Sequence, residues 1–316
     1  MDCRVLLTVD TELTWRHYAA GASWQENFER CYEAAGVGVP YQLEVLERHG
    51  LKACFFVDPM PALVYGMEPV RQMVAPILAA GQEVQLHLHS FWVALAEGAT
   101  EGAEFELTCF SQDRQADLIR VARDLLMLAR VPKPIAFRSG SYAGNEATLE
   151  ALRGLGIRYD SSHNGAEHPW PSALPFETRQ IAPLERNGVI EVPVTTIEDS
   201  PGRLRHLQLC AVSAREMREA LMHAAIHRHE LVTIVSHSFE LATRDGTRPN
   251  EALRRRFESL CAFLADHSER LPTVHFSELD DLLLDSEAQP LPPRSLRKAK
   301  RMLEQLWSNA VYEGRL

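Results

Sequence analysis

The sequence predicts one large α/β domain built as a parallel βα barrel, followed by a short helical tail. Three observations point there. Short β-branched or aromatic runs alternate with helical segments along most of the chain. Seven or eight such units favour a closed barrel over an open sheet. Ionisable residues also recur at strand ends, where active sites of βα barrels form. A chain of 316 residues suits one such barrel.

In order, the strand candidates are RVLLTV (4–9), KACFFV (52–57), EVQLHLH (83–89), PIAFR (134–138), GIRYD (156–160), VIEVPV (189–194), LVTIVSH (231–237) and TVHF (273–276). Between them, YQLEVLERHG places Leu43, Val45 and Leu46 on an apolar stripe stopped by Gly50. DRQADLIRVARDLLMLARV repeats apolar residues at 118, 121, 125, 126 and 128, at helical spacing. NEATLEALRGLG, SAREMREALMHAAIHRH and NEALRRRFESLCAFLADH are further helices. The longer connections, 11–40, 90–112, 161–188 and 195–212, follow strands, as substrate-shaping loops do.

From residue 289 the composition changes. QPLPPRSLRKAKRMLEQLW begins with a proline-rich stop and continues as a basic amphipathic helix. The predicted division is a barrel over 1–286 and a tail over 287–316, packed on or extending from the barrel. Packing through Leu296, Met302, Leu303 and Leu306 is the first expectation; contact of Arg294, Arg297, Lys298, Lys300 and Arg301 with an anionic membrane surface or substrate is the second.

Composition narrows the function. Hydrophobic content of 46% and charged content of 24% describe an ordinary globular protein. A formal charge of -10 argues against nucleic-acid binding, which calls for a basic surface. Cysteines stand singly at 3, 31, 54, 109, 210 and 261, without zinc-ribbon or thioredoxin spacing. MDCRVLLTVD has the character of a first strand rather than a signal peptide, and no apolar run reaches membrane-span length. The expectation is a cytoplasmic protein with reduced cysteines; its oligomeric state is not legible.

Asp10 and Glu12 follow the first strand, His87 and His89 close the third, Arg138 and Asp160 close the next two, and His237 closes the seventh. Alternation puts His87 and His89 on one strand face. A carboxylate with two neutral imidazoles is the ligand set of a hydrolytic zinc site. A second carboxylate can serve as base and a separate histidine as acid.

TVDTE (8–12), HLHSFW (87–92), FRSGSY (137–142) and VSHSFEL (235–241), in this order, resemble the polysaccharide deacetylase family (NodB homology, carbohydrate esterase family 4). The resemblance spans roughly residues 4–280. It implies a distorted (β/α)7 barrel and a hydrolase that removes an acyl group, N-acetyl above all, from a sugar or sugar-containing precursor. By the same resemblance Asp10 is the base, Arg138 holds it, His237 is the general acid and Tyr142 lies in the segment supplying an oxyanion contact. The family's second aspartate is replaced by Thr11, so Glu12 becomes the metal ligand. The usual second histidine position holds Phe91, so His89 joins His87. The implied cofactor is a divalent metal: zinc, with cobalt or nickel as alternatives. Phe239 or Leu241 walls the acyl pocket, and Trp15, Trp24, Trp92 and Trp170 lie in loops suited to sugar stacking. The implied partner is a small or lipid-linked acylated sugar. Two other functions fit the same residues: a metal-free, allantoinase-like hydrolase of ureides, and a non-catalytic carbohydrate-binding protein.

Overall fold

The computed structural model describes residues 2–98 and 105–313; part of the 90–112 connection and the last three tail positions lie outside them. Ten strands are found among the described residues: β1 Arg4–Thr11, β2 Cys54–Val57, β3 Glu83–Leu88, β4 Ala136–Ser139, β5 Tyr159–Asp160, β6 Leu184–Arg186, β7 Val189–Glu191, β8 Thr196–Ser200, β9 Arg203–His206 and β10 Leu231–His237. The main sheet runs β10-β1-β2-β3-β4-β5-β7-β6. Its members are parallel except β6, which pairs antiparallel with β7. That leaves seven parallel strands, curled so that only a seam separates β7 from β10. The seam is crossed by isolated contacts: Thr195 N–H donates to Thr233 O at 3.2 Å, and a parallel bridge at Gln208 and Val235 is made by Val235 N–H to Leu207 O at 3.1 Å and Leu209 N–H to Val235 O at 3.0 Å. The fold is a distorted (β/α) barrel of the polysaccharide deacetylase type.

Strand alternation sorts the interior. β1 sends Val5, Leu7 and Val9 into the large core beneath the helices. Leu6 turns the other way and joins Cys54, Phe56, Ala136, Tyr159, Ile190 and Phe276 in a smaller cluster inside the barrel. Burying a side chain such as Leu6 or Phe56 contributes roughly 1.5–3 kcal/mol. The same inward row of β1 continues through Thr8 and Asp10 to Glu12, so the barrel is apolar at its floor and polar at its mouth.

The longer helices are α1 Val39–His49, α2 Glu68–Ala79, α3 Gln112–Leu128, α4 Glu146–Leu155, α5 Ala214–Ile226, α6 Glu251–Asp266 and α7 Ser295–Tyr312. In α4 the reasons are local. The Asn145 side chain accepts from Thr148 N–H, the Thr148 hydroxyl accepts from Asn145 N–H, and Gly156 ends the helix at φ +67. α2, which carries Pro76 inside it, was not among the expected helices.

Two expected elements change character. TVHF is not a strand. It makes one bridge, Thr273 to Val5, then a short 3-10 turn at Phe276–Glu278 that closes the barrel floor. The 195–212 connection is not a plain loop, since most of it forms the β8–β9 hairpin.

The tail helix is seated the opposite way round from the expected apolar packing. Arg301 is 2% exposed and pairs with Asp199 and Glu216, while Arg297 pairs with Glu219 at 3.1 Å and Lys298 with Asp199 at 2.8 Å. Leu296, Leu303 and Trp307 are 80%, 67% and 57% exposed, and Met302 and Leu306 are exposed with them. Asp199 and Glu216 come from the hairpin and from α5, elements whose acidic residues face the tail; hydropathy of the helix alone cannot report this.

Candidate active site

Register places the polar strand ends side by side. Asp10 is the Cα partner of His237, and His87 that of Arg138. The mouth they form opens on a cavity of about 920 Å³, whose lining includes Glu12, His89, His237 and Glu240.

Glu12, His87 and His89 come together, with one donor atom from each lying within 4.8 Å of the others. Glu12 Oε2 is 2.5 Å from His89 Nε2 and 3.4 Å from His87 Nε2. His87 Nδ1 is 2.8 Å from the Arg138 carbonyl oxygen. A carbonyl can only accept, so Nδ1 carries a hydrogen, and Nε2 is the atom turned toward Glu12. β3 ends at Leu88, so His89 reaches the cluster from the bend just beyond the strand rather than from the ladder itself. Its ring lies against Gly140, where a Cβ would fall 2.3 Å from His89 Nδ1. Glycine at 140 is thus a condition for the position of His89. Burial pushes the Glu12 carboxyl up, but the two imidazoles outweigh it and hold the group well below the usual carboxylate range. The same carboxylate lifts His89 to about 9 against the effect of burial.

This donor set fits a divalent metal. It offers one carboxylate and two imidazoles, His87 Nδ1 is held from behind, and both Nε2 atoms converge on Glu12 Oε2.

Beside it, Arg138 is fully buried. Its guanidinium donates to Asp10 Oδ1 at 2.6 Å, Thr8 Oγ1 at 2.9 Å, Ser161 O at 3.0 Å and Ser161 Oγ at 2.9 Å, and lies over the Phe56 ring. Asp10 is thereby pinned on the inner wall, below Glu12 on β1. His237 stands on the neighbouring strand with Nδ1 3.7 Å from Glu240 Oε2, an ion-pair separation. Burial lowers its pKa, but Glu240, helped by Asp10 and Glu12, raises it to about 9. Glu240 is held by the N–H groups of His237 and Cys210 at 2.8 and 2.7 Å.

Ser141 and Tyr142 both have left-handed backbone, φ +54 and +58. Ser141 lines the cavity. The Tyr142 hydroxyl is buried without a partner among the described residues, and burial raises its pKa. Phe239 also lines the cavity, whereas Leu241 is buried in the core beside it. Of the tryptophans, Trp15 and Trp92 line it. Trp15 stacks on Phe91 at 5.3 Å, Trp92 is buried against Tyr18 and Tyr65, Trp24 packs on Phe28, and Trp170 is exposed elsewhere on the surface.

Asp160 does not join this group, contrary to expectation. Its neighbour Tyr159 points into the barrel, so alternation turns Asp160 to the outer face, opposite Glu191 of β7. Both carboxyls are fully buried. Burial raises Asp160 to about 6, and burial together with Asp160 raises Glu191 well above the ordinary range.

Asp58 was missed. It follows β2 directly, Oδ1 accepts from Met60 N–H at 3.0 Å, and burial raises its pKa to about 6 although His89 and His87 pull it down. The signal was present: positions 54, 56 and 58 of CFFVD share one face, and that face is inward. Glu240, three residues after His237, was equally visible in VSHSFEL.

No family model matches the chain, and no curated protein matches it. Similarity appears among solved structures. The "putative polysaccharide deacetylase from Mycobacterium smegmatis" has TM-score 0.52 and 18% identity, over 92% of this chain and 94% of that one. The 4-alpha-glucanotransferase from Thermococcus litoralis has TM-score 0.53 and 12% identity, over 88% of this chain and 40% of that longer one. The class defined is therefore a fold, the polysaccharide-deacetylase type of barrel. These two structures are described as different activities, so function must be argued from the site.

Proposed function

We propose that this protein is a metal-dependent hydrolase that removes an acyl group, N-acetyl in the first instance, from a sugar or sugar-containing precursor. The observation that carries it is the convergence of Glu12, His87 and His89 beside the Asp10–Arg138 pair and His237, at the edge of one cavity. A divalent ion held by Glu12, His87 and His89, zinc first and cobalt or nickel otherwise, would supply a Lewis acid for the acyl oxygen and lower the pKa of water.

The chain's own groups do the rest. Asp10, held by Arg138, takes the proton from the attacking water as its oxygen bonds to the acyl carbon. A backbone N–H near Tyr142 receives the negative charge on the acyl oxygen. His237, protonated at neutral pH with its pKa near 9, gives its proton to the nitrogen as the carbon–nitrogen bond breaks. The products are a carboxylic acid and an amine. Trp15 and Phe91 offer an aromatic wall for a sugar face. Among the described residues no helix is long and apolar enough to cross a membrane; a small or lipid-linked acylated sugar met in the cytoplasm is the substrate this reading favours.

The test is elemental analysis of protein purified without a polyhistidine tag or chelator, beside His87→Ala and His89→Ala. About one divalent ion per chain is expected, lost in both variants, with hydrolysis of an N-acetyl sugar lost alongside. Protein that stays empty after zinc is added back removes this reading and favours the metal-free ureide hydrolase or the sugar-binding protein.

A further inference from the structure

We propose that Asp58 is a second carboxylate of the metal centre, placed behind the three direct donors to balance the charge of the ion. The inference rests on the reading above and extends it to a residue outside the resembling motifs.

The placement follows from strand register. Thr11 of β1 pairs with Val57 of β2, and Val57 pairs with Leu86 of β3. One step further along all three strands lie Glu12, Asp58 and His87. The ladder continues into that step, since Asp58 N–H donates to Thr11 O at 3.0 Å. Cys54 and Phe56 point inward, so Asp58 does too. It therefore stands on the inner wall between the carboxylate and the first imidazole of the donor set.

The turn after β2 accounts for only half of this side chain. Oδ1 accepts from Met60 N–H, a role an asparagine would fill equally well. Oδ2 is buried and has no hydrogen-bond partner among the described residues, and the residue is 0% exposed. A turn-forming residue needs no ionisable oxygen in such a place, and leaving one unpaired there is costly. A cation next to it removes that cost. Two carboxylates with two neutral imidazoles balance a divalent charge fully, where Glu12 alone would leave one positive charge in a buried site. Asp58 is not among the atoms within 4.8 Å of one another, so its contribution is charge rather than a direct bond.

The experiment is zinc titration of the full chain against a chelating fluorophore, for the native protein, Asp58→Asn and, as a reference for loss of a direct donor, His87→Ala. Asparagine keeps the turn. Expected are a zinc affinity weakened by roughly 10–100-fold in Asp58→Asn and a melting temperature without zinc equal to or above that of the native protein. Affinity within about twofold of native overturns the role of Asp58 and leaves the proposed hydrolase standing. Native protein that binds no zinc overturns both.

Discussion

Two groups of buried ionisable side chains occupy the same sheet and are arranged in opposite ways. On the inner face, Asp10 and Glu12 each meet a cationic or imidazole partner, Arg138 for one and His87 with His89 for the other, and the cavity reaches Glu12 and His89. On the outer face, Asp160 and Glu191 meet each other. Opposite charges side by side fix geometry and remain charged at neutral pH; like charges side by side hold a proton instead. A site that must present charge to a ligand needs the first arrangement. The second is better suited to a closed wall.

The largest effect should come from breaking the compensated pair. Arg138→Met leaves Asp10 buried without its partner and should cost about 3–5 kcal/mol in denaturant unfolding. A loss under about 1 kcal/mol would mean that Asp10 is satisfied without the arginine.

Next comes the packing that permits His89. Gly140→Ala should reduce zinc affinity roughly 10–100-fold by displacing the His89 ring. Native affinity would show that the ring can move and that the inner arrangement is less rigid than its distances suggest.

A smaller effect concerns the pKa of His237, the proposed acid. The folded His237 is raised to about 9, so it stays protonated through neutral pH and loses its proton as pH rises through about 9. Hydrolysis should fall there. Glu240→Gln removes the main cause of the shift, and the fall should move to lower pH by about one unit or more. An unmoved profile would assign the alkaline fall to another group.

The smallest effect belongs to the outer pair. Both carboxyls are raised on folding, so the folded state keeps protons that the unfolded chain releases near pH 4. Whatever stability the pair supplies at low pH is lost as pH rises through about 6. Glu191→Gln should therefore gain on the native protein in denaturant midpoint between pH 4 and 8. A constant difference across that range would mean the pair is not proton-linked.

Strand–helix alternation was enough to make the barrel legible, because each unit is specified by local periodicity. The candidate site was legible where a residue's strand parity agreed with its place at a strand end, as for Asp10, His87, Arg138 and His237. It misled for Asp160, one residue out of phase with its inward neighbour, and it passed over Asp58, which is in phase. Parity depends on which face is inward, and that is fixed only when the strands assemble. The tail helix shows the same limit. Its hydrophobic stripe suggested the packed face, but Asp199, Glu216 and Glu219 on other elements selected the arginine side.

That seating has a consequence for the substrate choice of the proposed hydrolase. The inward side of α7 brings Gln305, Ser308 and Asn309 to the rim of the cavity, with Gln305 donating to the Cys210 and Ala211 carbonyls. The proposed reacting groups stand on or just past strands β1, β3, β4 and β10, while part of the enclosure around them comes from a helix more than fifty residues beyond the last of those strands. Floor and rim are thus under separate sequence control. Changes along one helix can resize or repolarise the entrance while the reacting groups stay as they are, which gives a single chemistry a route to molecules of different shape.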